Sequence, residues 1–246
     1  MTSRRTRCTA IDALSHVLRR ALLYIALSLG CGMAWCAPVG VVAHLSGPLL
    51  DRKADGTTRV LAAQSQVESG DTLVAEKNTY AQIRFIDNSE ITLRPGTTFR
   101  IENFAYDAAR PQADSAAFSL VKGGLRSITG LLGRRNKEKF SLKTPSATIG
   151  IRGTTFIAQW VDAAQPEALA PGLHVAVLDG TIVVANGGGA LDFPAGQFGF
   201  VAGPGQAPVK VAPQPALQFV PPAGFGEGGG GGQAGQGSTG VDCVVR

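Results

Sequence analysis

Residues 140–161, FSLKTPSATIGIRGTTFIAQWV, constrain the fold of this chain more than any other stretch. Apolar and small polar residues alternate through 148–151 and again through 156–160, which is the period of a half-buried β-strand. The stretch therefore predicts two short β-strands around a Thr144-Pro145 turn. A third strand opens with Arg152-Gly153-Thr154.

Strand-like segments of this kind recur about every ten residues, and Gly, Asn and Asp separate them. Two hairpins are predicted in particular. One spans residues 85–93 around Asp87-Asn88-Ser89-Glu90, and the other spans residues 174–186 with a type I′ turn at Asp179-Gly180. We therefore predict a single all-β domain of many short strands over residues 38–203, arranged as a β-solenoid-like roll or a sandwich.

Residues 204–246 are dominated by Pro and then by Gly. Such a segment buries too few apolar side chains to offset the entropy lost on ordering, so we predict a disordered tail. An alternative stays open, in which Val209, Val211, Leu217 and Phe219 lie along the surface of the domain.

Residues 1–37 predict a secretory signal peptide. A basic segment with five arginines precedes the uncharged run 21–35, and the small residues Cys36 and Ala37 follow that run. Cleavage after either Cys36 or Ala37 is compatible with the sequence. We therefore expect a periplasmic or secreted protein, with an inner-membrane anchored form and a lipoprotein as the alternatives.

The predicted leader also accounts for most of the net charge. The chain has 23 Lys and Arg and 18 Asp and Glu. Five of the basic groups and one acidic group, Asp12, lie in residues 1–37, which leaves 18 basic and 17 acidic groups in the rest. A nucleic-acid-binding domain needs a basic patch, so we expect no nucleic acid partner. Membrane contact is expected to be only peripheral unless the leader is retained.

The residues that catalysis or metal binding needs are scarce after the leader. Only His44 and His174 follow it, without Cys, Asp or Glu at metal-ligand spacing, and Cys243 is the single thiol there. Cys243 is either incidental or able to pair with another chain. No nucleophile elbow, zincin motif or P-loop is found. We therefore predict no enzyme, no catalytic residue, no metal site and no cofactor.

Two groups of polar residues remain as candidate sites. The first is interpreted as structural, with Arg152 as an internal staple and Gly153 as a backbone turn; it comprises Thr144, Pro145, Arg152, Gly153, Thr154, Asp179 and Gly180. The second is a basic loop that is either a solvated loop or an interaction site for anionic lipid, polysaccharide or an acidic partner; it comprises Arg134, Arg135, Lys137 and Lys139, with Arg126 upstream.

Five segments, in order, resemble the FecR domain family. The segment 143–156, KTPSATIGIRGTTF, is similar to that family's TP-x-A-x-x-x-x-RGT-x-F signature, and four further segments are similar to its other conserved strands: 67–85, 86–101, 118–127 and 175–186. The resemblance implies a non-catalytic periplasmic β-domain.

Name-giving members of this family look like sigma-factor regulators that have a cytoplasmic helical segment before one membrane helix. Here only about 20 residues precede the apolar run. We therefore expect a binding, sensing or scaffold module of the cell envelope whose partner is an envelope protein or a polysaccharide. The alternative is a signal-transducing regulator of an extracytoplasmic sigma factor for iron uptake.

Overall fold

A computed structural model describes residues 37–163, 169–222 and 225 of the 246-residue chain. Fifteen strands within these residues form one hydrogen-bonded sheet, so the predicted all-β class is confirmed. The strands are β1 (Pro38–Leu45), β2 (Leu49–Arg52), β3 (Thr58–Leu61), β4 (Gln66–Glu68), β5 (Thr72–Ala75), β6 (Ala81–Phe85), β7 (Glu90–Leu93), β8 (Thr98–Ala105), β9 (Ser115–Ile128), β10 (Phe140–Lys143), β11 (Thr148–Val161), β12 (Gly172–Asn186), β13 (Gly189–Pro194), β14 (Phe198–Val201) and β15 (Val209–Val211).

Helical structure in the described residues is short. One α-helical turn, α1 (Leu131–Arg135), follows β9, and it leads directly into a 3₁₀ turn at Lys137–Lys139. Two more 3₁₀ turns occur at Pro111–Ala113 and Pro215–Leu217. No helix in the described part of the chain is long and apolar enough to span a membrane.

The sheet folds over on itself into two layers that face each other. Layer A has the order β3-β2-β5-β8-β9-β10-β11-β12-β13, and layer B has the order β4-β1-β6-β7-β9-β11-β12-β14-β15. The long strands β9, β11 and β12 belong to both layers, because each strand pairs with different neighbours along its two halves. The domain is therefore a sandwich whose two layers share three continuous strands.

Phenylalanine rings fill the space between the two layers. Phe85 of layer B stacks on Phe104 of layer A with a centroid distance of 4.8 Å, and it lies 5.3 Å from Phe118. Phe118 also contacts Phe99 and Phe140, at 5.4 and 5.7 Å. Each buried ring stabilises the fold by about 1.5–3 kcal/mol through burial alone, so this cluster is a main source of the stability of the domain.

The predicted hairpin over residues 85–93 is confirmed. Strands β6 and β7 pair with Arg84 opposite Glu90. The Asp87 carboxylate accepts hydrogen bonds from the Ser89 amide at 2.9 Å and from its hydroxyl at 2.6 Å. Asn88 has a φ of 62°, a conformation that Asn tolerates better than most residues. The local sequence alone specifies this turn.

The predicted hairpin over residues 174–186 is wrong. Strand β12 runs without reversal from Gly172 to Asn186, and residues on both sides of Gly180 pair with the same strand, β11. Gly180 does have the expected positive φ, 74°, but this backbone bends the strand from layer B into layer A. Gly123, with a φ of 82°, likewise lies inside a continuous strand, β9.

The folded domain also extends beyond the predicted boundary at residue 203. Strand β15 pairs with β14, and Leu217 is only 1% exposed. The segment thus lies along the surface of the domain, which is the alternative that the sequence left open, although among its valine, leucine and phenylalanine residues only Leu217 is buried; Val211 and Phe219 are partly buried and Val209 is exposed. The remainder of the predicted tail, together with the predicted leader up to residue 36, lies outside the described residues.

Candidate functional site

The Thr144-Pro145 dipeptide forms a tight turn between β10 and β11. The Thr144 hydroxyl donates to the Ala147 carbonyl at 2.8 Å and accepts from the Ala147 amide at 3.1 Å, while the Thr144 amide also donates to that carbonyl. Pro145 is exposed at the corner, where it lacks an amide hydrogen to satisfy. The polar groups of Thr144 are therefore used within the turn.

Arg152 is not the internal staple that the sequence predicts. Its side chain is 57% exposed and lies 3.7 Å from the Asp192 carboxylate, which is 52% exposed. Alternation along β11 buries Ile151 in the core and directs Arg152 to the outer surface of layer A. An ion pair this exposed stabilises a fold by about 0–1 kcal/mol, so the arginine is not what holds the motif together.

The neighbouring residues form the point at which β11 and β12 change layers. The strand register shifts between Arg152 and Thr155, and Gly153 has a φ of 64°. A Cβ atom at Gly180 would lie 2.3 Å from the Gly153 carbonyl oxygen, whereas a Cβ at Gly153 would meet open space. Gly180 is therefore required both for its φ and for the close approach of the two strands.

Thr154 and Asp179 belong to the same crossing. The Thr154 amide donates to the Thr129 hydroxyl at 3.0 Å, and the Thr154 carbonyl accepts from that hydroxyl at 2.7 Å. These bonds join β11 to the end of β9. Asp179 of β12 pairs with Thr155 of β11. The contacts of the motif are thus largely internal to the domain.

A charge network surrounds the buried carboxylates of Asp51 and Asp71. The Lys53 ammonium contacts Asp71 at 2.7 Å and Glu68 at 2.8 Å, and Arg59 donates to Asp51 at 2.8 Å. Burial raises the pKa of Asp51. Because these partly exposed groups pair with the buried carboxylates, the network joins β2 and β3 to β4 and to the turn before β5, and it is best understood as structural.

The basic loop divides into one anchor and three exposed cations. Arg135 makes a bidentate ion pair with the buried Asp114 carboxylate, at 2.7 and 2.6 Å, and its guanidinium lies 4.6 Å from the centre of the Tyr106 ring. It also donates to the carbonyls of Asp107 and Ala108. The hydrogen bonds from Arg135 hold the pKa of Asp114 below its ordinary value. Arg135 thus fixes the loop against the segment before β9.

The other three cations, Arg134, Lys137 and Lys139, are exposed, and none has an ion-pair partner within the part of the chain that the structure describes. Leu131 lies one helical turn before Arg134 and is 46% exposed. The Leu131 amide donates to the Asp87 carbonyl at 2.8 Å, which brings the exposed Ile86 to the same region. We call these residues the basic surface: Ile86, Leu131, Arg134, Lys137 and Lys139.

His174 is buried, and both of its ring nitrogens are hydrogen-bonded. Its ring nitrogens lie 2.9 Å from the Gln214 side-chain oxygen and 2.7 Å from the Ala170 carbonyl, and its ring packs against Phe200. The histidine thus ties two surface segments to β12. Its ring is 1% exposed, so a substrate has no access to it in this conformation.

Sequence reasoning missed a groove on the outer face of layer B. Its floor consists of Arg126 from β9, Ile157 from β11, and Ala176 and Leu178 from β12, with Phe198 of β14 beside them. Residues 217–220 form the other wall, and about 340 Å³ between them and this floor remains unfilled. Arg126 therefore belongs to this groove, on a strand of layer B, although the sequence placed it next to the basic loop.

Residues 213–222, which we call the strap, cross the same groove. Leu217 is buried against Ile157 and Ala176 as part of one apolar cluster. The Arg94 guanidinium lies 5.4 Å from the centre of the Phe219 ring and donates to the Gln218 carbonyl. In the sequence, only the apolar residues at consecutive positions of β11 and β12 indicated such a surface, because consecutive residues of a strand lie on opposite faces.

Part of the chain is similar to known proteins. Residues 71–183 match the family model described as FecR protein. No curated protein matches the sequence significantly. Two crystal structures of a "putative anti-sigma factor" from Parabacteroides distasonis ATCC 8503, at 1.65 and 2.50 Å resolution, are similar to the chain at 15% identity and a TM-score of 0.43. Each similarity covers 57% of this chain and 58% of the other, which is less than two thirds of that protein.

Proposed function

Residues 71–183 match the FecR protein family, and from this match we propose that the chain acts in the cell envelope as a non-catalytic binding module. The observation that supports this function is the basic surface. It presents three cations that have no ion-pair partner among the described residues, on a loop that Arg135 and Asp114 hold in place. An ordered loop loses less conformational entropy on binding than a mobile one, so its charges are well suited to recognition.

The composition of the basic surface favours an acidic protein over a polysaccharide. Leu131 and Ile86 are 46% and 50% exposed beside the cations. Apolar contact surrounded by charge is typical of protein–protein interfaces, in which the charges guide association and the apolar residues supply affinity. The proposed partner is therefore an envelope protein with an acidic patch around an apolar one.

One observation supports a role without catalysis. Both ring nitrogens of His174 are bonded inside the domain, so a general base at that position is sequestered.

The leader predicted at residues 1–37 supports the proposal that this module is periplasmic or secreted after cleavage behind Cys36 or Ala37. Cell fractionation with N-terminal sequencing of the mature chain tests this location. A chain that stays in the inner membrane with an intact leader would contradict it. That result would favour the sigma-factor regulator instead, because transmitting a signal to the cytoplasm requires a membrane span.

Charge reversal at the basic surface tests the proposed interface. We expect Arg134→Glu, Lys137→Glu and Lys139→Glu together to abolish crosslinking to an envelope partner in intact cells, with the melting temperature unchanged. The matched control is Lys77→Glu, Lys122→Glu and Lys143→Glu, which reverses three exposed lysines elsewhere. If the two triple variants lose the partner equally, net charge and not this surface governs binding.

A further inference from the structure

The outer face of layer B is divided into a polar half and an apolar half. Side chains of β6 and β7 make the polar half, where Arg84 and Gln82 both donate to Glu90. On β11, β12 and β14 the outward face includes the apolar residues Ile157, Ala176 and Phe198, and it turns polar only toward Gln159 and His174. An apolar strip of this kind on an antiparallel sheet normally marks a surface that something covers.

The strap covers that apolar strip, and its contacts show which chemistry the groove accepts. Leu217 fills an apolar hole and is 1% exposed. Two residues later, the Phe219 ring lies beneath the Arg94 guanidinium. It is nearly perpendicular to the Tyr80 ring, and the two ring centroids are 6.0 Å apart. Arg94 also donates to the carbonyl of Gln218, between the two anchors. The groove thus binds an aliphatic side chain, a backbone carbonyl and an aromatic ring in fixed order.

The way in which the strap is held makes it displaceable. The Leu217 and Gln218 amides donate to carbonyls within the strap itself, those of Gln214 and Pro215, both at 3.0 Å. Four of its ten residues are proline, which has no amide hydrogen for pairing with a strand. Side-chain contacts therefore hold the strap on the sheet, and its release breaks no ladder of backbone hydrogen bonds.

We propose that this groove is a docking site for an extended segment of a partner protein, with an aliphatic residue two positions before an aromatic one, and that the strap occupies the groove until such a segment displaces it. The site is separate from the basic surface, so either can fail without the other.

A partner protein is a better occupant than a second copy of this chain. The strap is joined to the domain through β15, which keeps it near the groove at an effective concentration in the millimolar range. The identical strap of a second copy makes the same contacts but lacks this high effective concentration, so it cannot displace the chain's own strap. Displacement requires a segment of a different chain that makes additional contacts.

A peptide with the sequence of residues 213–222, PQPALQFVPP, serves as the probe. Labelled with a fluorophore, it is titrated with the full mature chain, and binding is followed by fluorescence anisotropy. We expect weak binding to the wild type, because the strap competes. The variant Leu217→Ser with Phe219→Ser, which weakens the strap, should bind the peptide at least tenfold more tightly.

Two controls connect the binding to the groove. A peptide that carries the same two serine substitutions should not bind the strap variant. Ala176→Leu, which places a larger side chain in the groove, and Arg94→Lys, which removes the planar guanidinium, should each weaken peptide binding to the strap variant about tenfold. Circular dichroism checks that every variant retains its β-sheet, and Phe219→Ala alone replaces the double variant if the latter fails to fold.

Several results would overturn the proposal. A folded strap variant that does not bind the peptide shows that the groove is no docking site. Equal binding of both peptides shows unspecific apolar adsorption. If the wild type and the strap variant bind the peptide with equal affinity, the strap does not compete for the groove. A wild-type dimer by light scattering that the strap substitutions dissociate would make the strap of a second copy the occupant.

Discussion

The crossing of β11 and β12 and the strapped groove are held by different kinds of interaction. At the crossing, positive φ values at Gly153 and Gly180 and hydrogen bonds between Thr154 and Thr129 fix the backbone. On the groove, side chains such as Leu217 are the main attachment. The FecR signature therefore maintains the scaffold, whereas the surface suited to exchange lies largely outside it.

The strongest test of this comparison is substitution at the crossing. Gly180→Val places a β-branched side chain at a φ of 74° and only 2.3 Å from the Gly153 carbonyl oxygen. We expect a loss of at least about 3 kcal/mol, which corresponds to a melting temperature lowered by roughly 6–12 °C. Gly153→Ala is the matched control, because a Cβ there meets open space; it should cost only about 1 kcal/mol. Equal losses would show that φ alone, and not the close approach, governs the crossing.

The anchor of the basic loop should respond next most strongly. Arg135→Ala leaves the buried Asp114 carboxylate without its bidentate partner, so thermal unfolding should shift clearly downward, whereas Arg134→Ala should leave it unchanged. Because Arg135 lowers the folded pKa of Asp114, the stability from this pair is present above the unfolded pKa of about 3.9 and is lost as pH falls through the folded pKa. A melting series below pH 5 should therefore show a smaller decline for Arg135→Ala than for the wild type.

Sequence patterns predicted the parts of the fold that depend on near neighbours. The turn at Asp87-Asn88-Ser89 closes through contacts two residues apart, so its residues suffice to specify it. Asp179-Gly180 has equally suitable turn residues, yet it bends a strand, because the strand opposite it is bulged at Gly153. A positive φ is encoded locally, but whether it reverses or bends the chain depends on a partner strand distant in sequence.

The candidate sites were less predictable for the same reason. Arg135 was recognised as one of four similar cations, but its partner Asp114 lies 21 residues away and distinguishes it from Arg134 only after folding. Leu217 and Phe219 are isolated apolar residues in a Pro-rich segment. Their burial depends on the outward faces of β11 and β12, which composition alone could not reveal.

The strap should have little influence on the global stability of the domain. Leu217→Ala should shift global unfolding by less than about 1 kcal/mol, because the strap detaches before the sheet opens. Leu120→Ala, an equally buried leucine between the layers, should cost about 2–5 kcal/mol. Urea denaturation compares the two, and limited proteolysis should cut Leu217→Ala faster within residues 213–222. Equal losses for both leucines would mean that the strap belongs to the cooperative core and is not displaceable.

The smallest effect is expected at Arg152, the most conspicuous residue of the family signature. Its side chain is more than half exposed and approaches Asp192 only to 3.7 Å, so Arg152→Ala should change the free energy of unfolding by about 0.5 kcal/mol or less. If the fold does not need this guanidinium, the remaining role for Arg152 is binding a partner. A variant with wild-type melting that no longer crosslinks to the envelope partner would extend the recognition surface to the outer side of layer A. A variant that melts several degrees lower would instead show that Arg152 stabilises the crossing even though its side chain is exposed.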